Sequence, residues 1–117
     1  MSELLTSARP YAKALFKSAK DKNMLEKYFD MLQNLSLAVS EKNIKQILTN
    51  DSFDNKYKSN LLSEILKDSI DENFSRFIIL LAENNRLLVI SEITSLFNSY
   101  LQEEKSLKKA IIDTAFE

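Results

Sequence analysis

Phe74-Ser75-Arg76-Phe77-Ile78-Ile79-Leu80-Leu81-Ala82 holds the longest apolar run in the chain, and the way its side chains are shared between core and surface decides the architecture. Plotted at about 100° per residue, its apolar positions cover an arc of roughly 260°, far wider than the ~100° stripe that one packed face requires. Phe74, Ile78, Leu81 and Ala82 can face a core together. Leu80 and Phe77 are then left on one flank and Ile79 on the other. Two readings follow. Either this is a central helix surrounded by its own bundle, or it is one wall of a groove that accepts an apolar partner.

The residues on either side mark the helix ends. Asp71 can cap a helix over about Glu72 to Glu83, and either of Asn84 and Asn85 can take the left-handed conformation that glycine usually supplies. Further out, the 117 residues contain no Gly and a single Pro, so the corner residues of β-sandwiches and parallel α/β folds are missing. Apolar residues recur at three- and four-residue steps instead, which predicts an all-α, six-helix bundle. The first helix spans about Glu3 to Lys20 with Ser2 as its N-cap and buries Leu4, Ala8, Tyr11, Ala12, Leu15 and Ala19. Pro10 either kinks its opening turns or moves its start to about Arg9. The second, about Met24 to Ser40, turns Leu25, Tyr28, Phe29, Leu32, Leu35 and Val39 inward. A short third helix near Glu41–Thr49 ends in the turn Asn50-Asp51-Ser52. Asp54 caps the fourth, to about Lys67, with Tyr57, Leu61, Leu62, Ile65 and Leu66 inward. The sixth, about Leu87 to Glu104, buries Leu88, Ile90, Ile93, Phe97, Tyr100 and Leu101. Residues 107–116 are richer in β-branched and aromatic side chains and read as the start of an extended strand.

Composition narrows the chemistry. Without Gly, neither a Walker-type nor a dinucleotide-type phosphate loop can be built. Without Cys and His, zinc ribbons, thiol redox pairs and Ser-His-Asp catalysis are excluded. No cofactor or metal is expected, and a catalytic role would have to rest on carboxylates, Lys, Arg, Tyr or Ser alone. Sixteen basic and seventeen acidic residues leave a net charge of −1, which removes bulk attraction to nucleic acid. The paired acids Asp71-Glu72 and Glu103-Glu104 splay around their helices instead of converging on one atom, so capping and solvation explain them. No apolar run approaches the ~20 residues of a spanning helix, and the N-terminus has neither a secretion signal nor a transit peptide.

The first helix carries two further stripes. Arg9, Lys13, Lys17 and Lys20 share a basic face, which is ordinarily a solvated one. Ser7, Tyr11, Ala14 and Ser18 form a strip beside the core stripe. Small side chains there either serve as plain helix formers or let a foreign helix approach, with Tyr11 as an anchor. If the first and fifth helices are neighbours, this strip and the wide arc of the fifth combine into a groove for an amphipathic helix.

At Ala8-Arg9-Pro10-Tyr11-Ala12-Lys13-Ala14-Leu15-Phe16 the chain resembles the delta-subunit family of bacterial F-type ATP synthases, whose first helix carries the pattern A-R-P/R-Y-A-x-A-L/A-F. Leu81-Ala82-Glu83-Asn84-Asn85-Arg86-Leu87 is similar to the segment ending in A-E-N-x-R-L, with Asn85 where many relatives have Gly. The mitochondrial oligomycin sensitivity-conferring protein belongs to the same family. The resemblance covers residues 1–105 as an N-terminal helical domain, with 106–117 as a linker and the first strand of a second domain.

This resemblance implies a non-catalytic stator adaptor that grips the N-terminal helix of an alpha subunit through its first and fifth helices. Tyr11 and Ala14 match first-helix contact positions, and Leu80 matches an aliphatic contact on the fifth. The helical wheel adds Leu15, Phe77 and Asn84. The family's second domain engages the peripheral stalk b subunits; the chain stops at Glu117, so stalk binding is not carried over. The implied location is peripheral, on the cytoplasmic face of the bacterial inner membrane. The competing expectation is a small helical nucleic-acid-binding module using the basic face of the first helix.

Overall fold

The computed structural model describes residues 3–115, with side-chain surroundings through residue 112. Among these residues the chain forms α1 (Glu3–Asp21), α2 (Leu25–Ser40), α3 (Lys42–Leu48), α4 (Asn55–Ile65), α5 (Glu72–Glu83), a 3₁₀ turn (Leu87–Val89) and α6 (Ile90–Ala115), without a strand. The bundle is all-α with six helices. Ser2, expected as an N-cap, and Phe116 lie outside the described residues.

Local chemistry explains the boundaries. Asp54 accepts from the Tyr57 amide and Asp71 from the Phe74 amide, each at 2.8 Å, as N-caps do for the unpaired donors of a first turn. Glu41, read as helical, is the N-cap of α3 and accepts from Ile44 N at 3.0 Å. In a glycine-free chain asparagine takes over the left-handed corners: Asn23 and Asn85 both have φ 57°. At each, the next amide reaches back into the helix, Met24 N to Ala19 O at 2.8 Å and Arg86 N to Leu81 O at 2.7 Å. These are Schellman closures. Asn50 Oδ1 accepts from Ser52 N at 2.9 Å, making the expected turn.

α1, α2 and α6 build one layer. Phe16 meets Phe97 and Tyr100 edge-on, with centroids 5.3 and 5.7 Å apart, and Lys20 pairs with Glu104 at 3.1 Å, so α1 and α6 run in the same direction. α2 runs against them, with Phe29 stacked on Phe97 and Lys105 paired to Glu26 at 2.7 Å. α5 packs chiefly on α4, and the core between the layers centres on Tyr28, Leu32, Leu35, Phe74, Ile78, Leu81, Ile90, Ile93 and Phe97.

Several expectations are corrected. α1 is helical from Glu3, so the alternative start at Arg9 is not adopted; Pro10 sits inside the helix with its ring exposed. Leu88 is exposed because the 3₁₀ turn changes the angular phase and buries Leu87 and Val89 instead. Tyr57 and Ile65 form a column at the edge of α4, outside the buried line through Ser59, Leu62 and Leu66; Tyr57 stacks on Phe53. Leu4 is likewise exposed, in the first turn of α1. Residues 107–115, read as extended, continue α6. With no neighbouring strand to complete a ladder, the helix satisfies their backbone locally. The overrun also explains a radius of gyration of 15.7 Å, against roughly 13.4 Å for a compact chain of this length.

Candidate functional site: a groove between the first and fifth helices

α1 directs its large side chains at α6 and α5 leans on α4, so the seam between α1 and α5 has neither helix fully behind it. There the structure has an open groove of about 220 Å³, lined by Ala14, Leu15 and Ser18 from α1 and by Asn73, Arg76, Phe77 and Leu80 from α5. The lining is largely apolar. Ala14 is exposed at its lip, and Leu15 is the core residue beneath it.

The wide arc of α5 divides as its sequence suggests, with one exception. Phe74, Ile78, Leu81 and Ala82 are buried. Leu80 stays 43% exposed on the groove side and Ile79 41% exposed on the other flank. Phe77, read as a flank residue like Leu80, is only 8% exposed. Its ring packs on Phe74 at 5.7 Å between centroids and serves as a wall of the groove.

Of the six candidate partner-binding residues, Ala14, Leu15, Phe77 and Leu80 are brought together along this groove. Tyr11 lies one turn earlier on α1, half-buried against the core, and Asn84 is the exposed C-cap of α5, one turn beyond Leu80. Neither lines the groove itself.

Sequence reading missed the polar end of the groove. Tyr28, fully buried, donates to the Asp71 carboxylate at 3.0 Å, and Asn73 Nδ2 donates to Tyr28 Oη at 2.9 Å and to Ser18 Oγ at 3.2 Å. α2, α5 and α1 are thereby joined by one chain of directional bonds. Arg76 stands on the rim and pairs with Glu72 at 2.8 Å. A tyrosine in the middle of an otherwise apolar α2 stripe was the available signal, since a buried hydroxyl requires a partner.

Elsewhere the charged groups have structural duties. Asp71 caps α5, Glu72 holds Arg76, and Glu104 holds Lys20. Among the described residues no cluster of His, Cys, Asp and Glu could hold a metal ion. Arg9, Lys13, Lys17 and Lys20 are exposed on α1.

Residues 8–117 match the family model described as ATP synthase delta (OSCP) subunit. The chain is 35% identical over 117 residues to the ATP synthase subunit delta of Marinobacter nauticus, which covers 100% of this chain and 66% of that one. It is 36% identical to the subunit delta of Haemophilus ducreyi, with coverages of 100% and 66%, and 38% identical over 120 residues to that of Histophilus somni, with coverages of 98% and 65%. The chain thus spans just under two thirds of the length of these relatives.

Proposed function

Since this chain belongs to the ATP synthase delta (OSCP) subunit family, we propose that its bundle is the part of a non-catalytic stator adaptor that holds the N-terminal helix of an alpha subunit in the α1/α5 groove. Proton flow turns a central rotor, and the alpha–beta ring must be kept from turning with it. The adaptor transmits that restraint to the peripheral stalk, whose b subunits are engaged by the family's second domain. No step of this role makes or breaks a covalent bond. Residues 106–117 lead toward that second domain in this reading, and those of them through Ala115 form the end of α6.

The observation that carries the reading is the open apolar groove itself. Its walls, Ala14, Leu15, Phe77 and Leu80, suit the apolar face of an amphipathic helix, and a preformed groove lowers the ordering cost of binding. Apolar burial at roughly 25 cal/mol per Å² supplies the attraction. No helix among the described residues is long and apolar enough to cross a membrane, so attachment on the cytoplasmic face of the bacterial inner membrane would run through the protein partners.

The test is a titration of the chain with a synthetic peptide of the alpha subunit's N-terminal segment, followed by NMR. Shifts should concentrate on α1 and α5. Tyr11→Ala and Ala14→Asp should weaken binding with helicity unchanged, Ala14→Asp by about thirtyfold or more, because a carboxylate would be buried against apolar walls. Absence of shifts on these helices rejects the reading.

A further inference from the structure

The amide of Asn73 has only one orientation open to it. Tyr28 has a single hydroxyl hydrogen, and the Asp71 carboxylate, which can only accept, takes it. Toward Asn73 the Tyr28 oxygen is therefore an acceptor, and the NH₂ group of Asn73 must face it. That same NH₂ group donates its other hydrogen to Ser18 Oγ. Both donors of Asn73 are used inside the protein, and Oδ1 is left as an acceptor. Among the described residues no buried side-chain polar atom lacks a partner, so this oxygen, which accepts no bond within the protein, keeps access to solvent on a residue that lines the groove. Ser18 accepts from Asn73 and keeps its own O–H to donate. The groove thus ends in one acceptor and one donor side by side, with the Arg76 guanidinium on the rim.

Resting on the groove reading above, we infer that Asn73 and Ser18 are specificity-determining residues that take the carboxamide of an Asn or Gln on the apolar face of the partner helix. A carboxamide matches the pair in both senses: its NH₂ donates to Asn73 Oδ1, and its carbonyl accepts from Ser18 Oγ–H. A carboxylate would set an acceptor against the Asn73 oxygen. A Lys or Arg would bring a cation beside Arg76. A purely apolar guest would leave both groups unpaired on docking, which costs more than the bonds themselves are worth.

The test uses a peptide of the alpha subunit's N-terminal segment, together with versions in which each Asn or Gln of its apolar face is changed singly to Leu. Asn73→Ala and Ser18→Ala should each lower affinity about five- to tenfold, and one of the peptide changes should do the same. Combining that peptide with Asn73→Ala should cost little more than either change alone, the mark of a direct pair. If Asn73→Ala unfolds the bundle, the same combination made with Ser18→Ala decides the matter: it leaves the Asn73–Tyr28–Asp71 contacts in place, and only a direct pair makes its cost non-additive with that of the peptide change. A peptide that shifts the groove resonances yet is indifferent to both variants, or that has no carboxamide on its apolar face, overturns this inference and leaves the groove reading intact. A peptide that produces no shifts overturns both.

Discussion

Leu80 and Leu81 are consecutive in α5 and chemically identical, yet truncating them should have opposite consequences. Leu81 is fully buried, while Leu80 is 43% exposed and lines the groove. Leu81→Ala should therefore destabilise the bundle by about 2–5 kcal/mol, through lost transfer energy and the cavity left behind. For a domain of this size that lowers the melting temperature by roughly 8–20 °C. Leu80→Ala should cost about 1 kcal/mol, or roughly 4 °C, because only its buried portion counts before docking. Complete burial of a leucine is worth about 1.5–3 kcal/mol, so covering the exposed portion with a guest helix is worth about 0.6–1.3 kcal/mol. Leu80→Ala should accordingly weaken the alpha-subunit peptide about three- to ninefold. Thermal unfolding followed by circular dichroism and calorimetric titration with the peptide read the two quantities separately. The reasoning fails if Leu80→Ala lowers the melting temperature as far as Leu81→Ala does. It fails equally if peptide affinity for Leu80→Ala stays within about twofold of the unaltered chain.

Substitutions at three other positions probe different parts of the structure. Ala14→Leu should fill the groove from inside, raising stability by up to about 1 kcal/mol in urea unfolding while lowering peptide affinity at least about tenfold, an exchange of function for stability. Tyr28→Phe keeps the ring packed on Phe74 but leaves Asp71 and Asn73 each short of a partner. It should cost about 1–3 kcal/mol, read as a fall in the urea midpoint. Asn85→Gly should be close to neutral, whereas Asn85→Ala should cost about 1–2 kcal/mol, since alanine resists the left-handed corner. Equal midpoints for those two variants would show that the corner is not held at positive φ.

Most of the fold was readable because its signals are local. Asp54, Asp71 and Asn85 announce helix ends within three or four residues of the positions they serve, and the apolar spacing of α2 and α5 repeats over several turns. Readings failed where the deciding partner is distant or the angular phase changes. Leu88 was misplaced because one 3₁₀ turn shifts the phase, which a helical wheel does not register. Residues 107–116 have strand-like composition, but composition does not provide the neighbouring strand that would make them extended, and those described continue α6. In the candidate site, the excess apolar width of α5 was visible, and so was the small-residue strip on α1. Asn73 was not, because its orientation comes from Tyr28 on another helix. A wheel drawn for α5 alone shows only a polar residue in its first turn.

The groove stays open for a reason that joins these observations. Apolar contacts have no preferred direction, so two helices with Ala14 and Ser18 on one side and Leu80 on the other could slide together and close the gap. They are prevented from doing so on both sides. Phe16 commits α1 to α6 by wedging against Phe97 and Tyr100, and α5 is held to α4. Between α1 and α5, the hydrogen bond from Asn73 to Ser18 acts as a strut, because its length and angle set the separation of the two helices. Tyr28 and Asp71 brace that strut from the core. A groove fixed in this way gives up the apolar burial that closure would bring. In return, a guest helix of the kind proposed would meet a preformed surface, and little of its binding energy would be consumed in reorganising the bundle.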